Sequence, residues 1–185
     1  MENAKALLNL AAKLLDLKPE GLDEVVYRRA VSTAYYALFH LLTQAAARLF
    51  TPNDERVAGV ISRIPDHIEM RVVSGQFSKG QLPEGLNQSG TTQLVPDALK
   101  AVAKAFIDLQ TEREKADYDF SQRITAEDTV AALDKATTAF TDWEAVKDGD
   151  MARLYLASFL FRKAWTQSRQ TVKKPKPDTP PGDSR

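Results

Sequence analysis

The stretch from Leu22 to Phe50 contains neither proline nor glycine and is rich in alanine and leucine. Alanine and leucine favour helices, whereas proline and glycine interrupt them, so the stretch predicts one long helix. We find no convincing strand elsewhere in the chain. The economical fold is therefore all-α, an antiparallel bundle of four to five helices around a shared core.

Apolar periodicity and helix-start signals place the other helices. Leucines and alanines of residues 3–17 fall on one helical stripe. Thr125 and Asp128 have the spacing of a capping box, which predicts a helix start there. The remaining expected helices are a weaker one over 54–72 interrupted at Pro65, one over 96–121, one over 125–147, and one from Asp150 to about 170. We expect residues 1–170 to form the bundle.

Two segments lack these signals. Residues 74–95 hold four of the eight glycines and many small polar residues, which indicates a long mobile loop. Loops of this size are uncommon in compact domains and either carry function or are disordered. Residues 171–185 hold four of the nine prolines, so we expect a disordered tail.

Composition excludes several kinds of chemistry. The chain has no cysteine, which rules out disulfides, thiolate nucleophiles and cysteine-based zinc sites. His40 and His67 are the only histidines, which argues against a histidine-rich metal site, and we expect neither a metal nor a cofactor. The N-terminal residues interleave lysines with leucines and resemble neither a signal peptide nor a membrane span. We expect a cytoplasmic protein that does not enter a membrane.

Charge is unevenly distributed along the chain. Residues 1–150 carry 17 Lys and Arg against 23 Asp and Glu, whereas residues 151–185 carry 8 against 2. A basic segment beside an acidic body can attract an anionic partner such as nucleic acid. Alternatively, its cations complement the dipole of the last helix and the acidic body. In the first interpretation, Arg162, Lys163 and Arg169 lie near aromatic residues and would contact single-stranded RNA.

Two segments combine tyrosine with charged residues. Within RRAVSTAYYALFHLL, residues 28–42, Arg29, Tyr36 and His40 share one helical face. Within EREKADYDF, residues 112–120, Arg113 and Asp117 are four apart and can pair. Tyrosine and arginine often bridge a bundle core to its rim, so each segment alone is equally well explained as structure.

Together, the two segments resemble small prokaryotic HEPN-type proteins (higher eukaryote and prokaryote nucleotide-binding). Those have a helix rich in Tyr-Tyr-Ala and a later Arg-x-x-Ala-Asp-Tyr segment. The resemblance covers residues 1–147 and is strong only in these two segments. It implies a HEPN-like bundle, a homodimer, RNA as target, and a partner protein such as an antitoxin.

The resemblance also implies a chemistry. Many HEPN-type proteins cut RNA without metal, using an arginine and a histidine that follows it after four to six residues. Arg113 matches the arginine, with Asp117 orienting it, but Tyr118 stands where the histidine would be. Tyrosine ordinarily has a pKa of about 10 and is a poor base near neutral pH. His40 is a candidate to replace the missing histidine in space.

Two functions therefore stay open. In the first, the protein binds or cleaves RNA as a toxin or defence protein, through Arg113, Asp117, Tyr118, Tyr36 and His40, with Arg29 and the basic last helix as further RNA contacts. In the second, it is a non-catalytic interaction module whose tyrosine, arginine and aspartate residues lock the helices together. Glycine-rich phosphate loops and nucleophile elbows are absent from the sequence, which argues against nucleotide binding and serine hydrolysis.

Overall fold

The computed structural model describes residues 2–17, 21–83 and 94–172, with side chains as far as residue 165. These residues form helices and connecting turns without a strand, which confirms the all-α class. The helices are α1 (Glu2–Asp16), α2 (Asp23–Phe50), α3 (Glu55–Ile61), α4 (His67–Phe77), α5 (Asp97–Tyr118), α6 (Ala126–Val146) and α7 (Asp150–Val172).

Three details of the expected architecture need correction. The described residues contain seven helices where the expected bundle has four to five, and one of the added helices arises because the chain around Pro65 separates α3 from α4, each with its own start. The predicted loop over 74–95 begins too early, since α4 continues to Phe77. Ser74 and Phe77 are buried in that last turn, so their packing extends the helix beyond the first polar residues. The tail predicted over 171–185 also begins too early, since α7 continues to Val172, and residues 84–93 and 173–185 lie outside the described residues.

Aspartate and threonine side chains start three of the helices. Asp54 accepts a hydrogen bond from the backbone N–H of Val57, and Asp66 accepts one from Glu69. Thr125 and Asp128 form the predicted capping box, in which each side chain binds the backbone of the other. Each cap satisfies N–H groups that have no partner within the helix, an effect worth about 1 kcal/mol. The cap at Asp66 matters most here, because it sets where His67 begins α4.

The long helix α2 occupies the centre of the fold. It packs against α1, α3, α5, α6 and α7, while α4 packs on α5 and α7. Its buried residues include Tyr35, Leu38 and Leu42, which meet Phe106 and Leu109 of α5 in a common core. A helix that is surrounded on most sides must be apolar over much of its surface, which explains why the apolar residues of α2 are spread around the helix and not confined to one stripe. No helix in the described part of the chain is long and apolar enough to cross a membrane.

Arg28 joins the start of α2 to the end of α5. Its residue surface is only 8% exposed, and its guanidinium donates to the backbone oxygens of Lys115, Ala116, Asp119 and Gln122. The opposite edge of the guanidinium binds the carboxylate of Glu24. Carbonyls at a helix end lack intrahelical partners, so this one side chain satisfies several of them at once.

We predict that Arg28→Ala lowers the free energy of unfolding by about 2–4 kcal/mol, because it leaves several partly buried carbonyls without a donor. Arg29→Ala is the matched control, since Arg29 is the exposed neighbour on the same helix, and its effect should stay within about 0.5 kcal/mol. Urea unfolding followed by circular dichroism measures both. Equal stability of the two variants would contradict the role of Arg28.

Candidate functional site

The ring of Tyr36 is the centre of the candidate site. Nη2 of Arg113 donates to its hydroxyl at 2.8 Å, and the Arg113 Cζ lies 5.4 Å from the ring centroid. Tyr118 covers Arg113 from another side, with its ring centroid 5.2 Å from the same carbon. Tyr118 is 70% exposed, so this group of residues reaches the protein surface. The structure therefore brings together Tyr36 of α2 with Arg113 and Tyr118 of α5.

Asp117 holds the other edge of Arg113. Its Oδ2 lies 2.7 Å from Nε of Arg113, one helical turn away, and its Oδ1 accepts a hydrogen bond from the hydroxyl of Ser32. Burial disfavours the charge of Arg113, but Tyr36, Asp117 and Tyr118 outweigh that effect and raise the pKa of the guanidinium. The expected orienting role of Asp117 fits this geometry. Nη1 of Arg113 forms no hydrogen bond with any described residue.

His67, which the sequence does not single out, lies beside Tyr36. The hydroxyl of Tyr35 is 2.5 Å from its Nδ1, and the Phe39 ring stacks on the imidazole at 4.3 Å. The Tyr36 ring meets the imidazole edge-on at 6.3 Å. Burial lowers the pKa of His67, and the positive charge of Arg113 lowers it further. Both effects favour the neutral form of the imidazole.

His40 also reaches Tyr36, but from the side of α1. Its ring centroid is 6.4 Å from that of Tyr36, and burial lowers its pKa. It forms no hydrogen bond with Arg113 in the described structure. His40 instead lines a groove of about 450 Å³ with five residues of α1 and α2, namely Asn3, Ala6, Leu7, Leu10 and Gln44.

The other expected binding residues are Arg29, Arg162, Lys163 and Arg169. Arg29 is exposed, and its side chain has no ion pair among the described residues. Arg162 binds the carboxylate of Glu69 through two hydrogen bonds, at 2.8 and 3.1 Å, and Lys163 binds Asp66 at 3.0 Å. These pairs tie α7 to the first turn of α4, beside His67. Arg169 lies beyond the described side chains.

These groups offer arginine donors, aromatic rings and a neutral imidazole at one place. Arginine can donate hydrogen bonds to two phosphate oxygens at once, and exposed tyrosine rings can stack on bases. An imidazole can donate or accept a proton near neutral pH. Within the described part of the chain, no three His, Cys, Asp or Glu residues lie close enough together to hold a metal ion.

A partial signal for His67 is present in the sequence. Asp66 followed by Glu69 has the spacing of a helix start, which places His67 in the first turn of a helix. The pairing with Tyr35 has no such local signal, because the two residues are separated by a whole helix and belong to different elements.

No protein-family model matches this chain, and comparisons with curated proteins and with solved structures find no significant match. The resemblance to HEPN-type proteins therefore stays a prediction that rests on the two segments that carry it.

We predict that both histidines titrate below the ordinary value of about 6.5 and that Arg113→Gln raises the pKa of His67 specifically. Removing the guanidinium removes a positive charge that opposes protonation of His67, whereas burial alone lowers the pKa of His40. Proton–carbon NMR titration measures both, and His40→Gln assigns the two signals. Arg63→Gln, at an exposed arginine, is the control. An unmoved His67 signal in Arg113→Gln would refute the coupling.

The same shifts predict how stability depends on pH. A histidine whose pKa is lower in the folded protein binds fewer protons there than in the unfolded chain, so the free energy of unfolding rises with pH. The contribution is complete above about pH 6.5 and is lost as the pH falls through the lowered values. Urea unfolding at several pH values should show this loss in the natural protein. The double variant His40→Gln, His67→Gln should show a smaller change over the same window.

Proposed function

We propose that this protein is an RNA-targeting helical bundle of the HEPN-like type, in which Arg113 contacts a phosphate of single-stranded RNA. The observation that carries the proposal is the convergence of Arg113, Tyr36 and Tyr118 at the seam between α2 and α5, with one tyrosine exposed. Arginine can contact phosphates, and the tyrosine ring is a surface on which a base can stack. Proteins commonly bind single-stranded nucleic acids through these two kinds of contact.

The state of Arg113 supports a role in anion binding. Asp117 and Tyr36 fix its Nε and Nη2, and Nη1 has no partner among the described residues. A guanidinium held on one edge keeps its remaining donors in a fixed direction, so little conformational entropy is lost when a phosphate oxygen binds. Asp117 also limits the affinity of the site for phosphate, because its negatively charged carboxylate lies 2.7 Å from the same guanidinium.

In cleavage, the ribose 2′-oxygen attacks the neighbouring phosphorus, which forms a 2′,3′-cyclic phosphate and breaks the bond from phosphorus to the 5′-oxygen. A base, for which His40 is the candidate, would take the 2′-hydroxyl proton, an acid would give a proton to the leaving 5′-oxygen, and Arg113 would stabilise the charge that develops on the phosphate oxygens. Tyr118 can donate a proton to a leaving oxygen, and it occupies the position of the usual histidine. The proposal includes a homodimer and a partner protein such as an antitoxin, since HEPN-type proteins commonly work in that way.

A second function is favoured by the burial of Arg113. Its side chain is only 17% exposed and is occupied by Asp117 and the Tyr36 hydroxyl. An arginine with these contacts also holds α2 and α5 together. The protein would then be a non-catalytic interaction module, and RNA would not bind it. Stability alone does not separate the two functions, because both predict that loss of Arg113 weakens the bundle.

We predict that the protein binds a short single-stranded RNA and that Arg113→Ala weakens the affinity about tenfold, the cost of a lost charged hydrogen bond. The slope of log affinity against log salt should fall by about 0.7, because one phosphate contact is lost. Fluorescence anisotropy across a salt series gives both numbers. A gel assay of the same mixtures reports cleavage.

Arg63→Ala is the control of equal charge, because Arg63 is exposed and has no ion pair among the described residues. It should leave the affinity unchanged. Equal weakening by both substitutions would point to bulk charge instead of a site at Arg113. Absence of RNA binding by the natural protein, with Arg113→Ala only lowering the melting temperature, would favour the interaction module.

A further inference from the structure

His67 and Tyr35 form a hydrogen-bonded pair, and the donors and acceptors available to them determine which atoms carry the protons. Tyr35 is completely buried, and burial raises the pKa of its phenol, so the hydroxyl keeps its proton. Its oxygen lies 2.5 Å from Nδ1 of His67 and has no other hydrogen-bond partner among the described residues. A buried O–H without an acceptor is costly, so Tyr35 donates and Nδ1 accepts.

This assignment determines the other nitrogen of the ring. Neutral imidazole carries one proton, and with Nδ1 accepting, that proton lies on Nε2. Nε2 forms no hydrogen bond with a described residue. The ring itself cannot turn freely, because Phe39 stacks on one face at 4.3 Å and the edge of Tyr36 meets it. His67 therefore presents a single N–H donor in a fixed direction.

We propose that His67 is a binding residue of the RNA site and that its Nε2–H donates to an oxygen of the phosphate held by Arg113. The ring of Tyr36 contacts both residues: its centroid lies 6.3 Å from that of the imidazole and 5.4 Å from Cζ of Arg113, so both donors lie beside one aromatic ring. The inference rests on the proposed RNA function and adds the second donor of the site. It assigns to α4 a role that the resemblance to HEPN-type proteins leaves to α5.

The charges around His67 favour this donor over a charged imidazolium. Burial, Arg113 and His40 oppose protonation of His67, whereas Asp66 and Glu114 favour it, and the net result is a lowered pKa. Asp66 is engaged by Lys163 and by the backbone of Glu69, so its charge is partly satisfied elsewhere. A bound phosphate would add negative charge beside the ring and raise the pKa of His67.

The position of α4 is well fixed for such a role. Asp66 caps its N-terminus, Arg162 and Lys163 of α7 hold Glu69 and Asp66, and the amide of Gln110 of α5 lies 3.4 Å from the backbone oxygen of His67. A donor on a helix that is anchored on two sides keeps its direction better than one on a loop.

The first experiment measures the tautomer of His67. Long-range proton–nitrogen NMR of the natural protein at neutral pH should show Nδ1 unprotonated and Nε2 protonated, and Tyr35→Phe should abolish this preference. Addition of a short single-stranded RNA should raise the pKa of His67. A proton on Nδ1 in the free protein would overturn the inference, whatever the protein binds.

The second experiment compares two substitutions by their affinity for the same RNA. Asparagine places its amide near Nδ1, so His67→Asn keeps an acceptor for Tyr35 and loses the outer donor. Glutamine places its amide near Nε2, so His67→Gln keeps the donor and loses the acceptor. We expect His67→Asn to weaken binding about tenfold and His67→Gln to retain most of the affinity. Thermal stability should follow the opposite order, with His67→Gln the less stable.

The salt dependence separates this inference from the role of Arg113. Because His67 is neutral, His67→Asn should lower the affinity without changing the salt slope, whereas Arg113→Ala changes both. RNA binding that depends on Arg113 but is unchanged in His67→Asn would overturn the inference and leave the proposed function intact. Affinity that follows stability across the two His67 variants would show that His67 is only structural. No RNA binding by the natural protein would overturn both.

Discussion

The hydrogen bonds from Arg28 to the end of α5 are the constraint on which the candidate site depends. They hold the last turn of α5 and the turn that follows it against the start of α2. Arg113, Asp117 and Tyr118 all lie within that end of α5, and their partners Ser32 and Tyr36 follow Arg28 on α2. If α5 slid along α2, every one of these contacts would be lost together. The arginine at position 28 is thus structural, and its neighbour at 29 is exposed.

A second set of contacts fixes α4 and hence His67. The ion pairs of Arg162 and Lys163 connect α7 with Glu69 and Asp66 in the first turn of α4. Both cations were candidates for RNA contact, and the structure gives each an acidic partner within the protein. The pair of Arg162 with Glu69 is partly buried, so desolvation offsets much of its attraction, whereas the pair of Lys163 with Asp66 is exposed and adds little to stability. Their effect at the site is to hold an imidazole against Tyr35 and Phe39.

Much of the fold could be predicted because its signals are local. Residues such as Thr125 and Asp128 announce a helix start by side-chain chemistry alone, and the capping box is present as expected. The end of α4 was placed too early, since burial of Phe77 outweighs the polar character of its neighbours. Part of the candidate site could be predicted: the pairing of Arg113 with Asp117 follows from helical spacing, whereas the contact of His67 with Tyr35 has no local signal.

By itself, the sequence determined the helical class, most helix positions, and the pairing of residues one turn apart, because backbone hydrogen bonding and side-chain spacing act over a few residues. Only the tertiary structure decided which faces meet. Tyr36 and Arg113 are 77 positions apart in the chain, and Tyr35 and His67 are 32 apart. Packing of apolar surfaces around α2 brings such residues together, and no local pattern encodes that packing. The identity of the histidine beside Arg113 is therefore a property of the packed core.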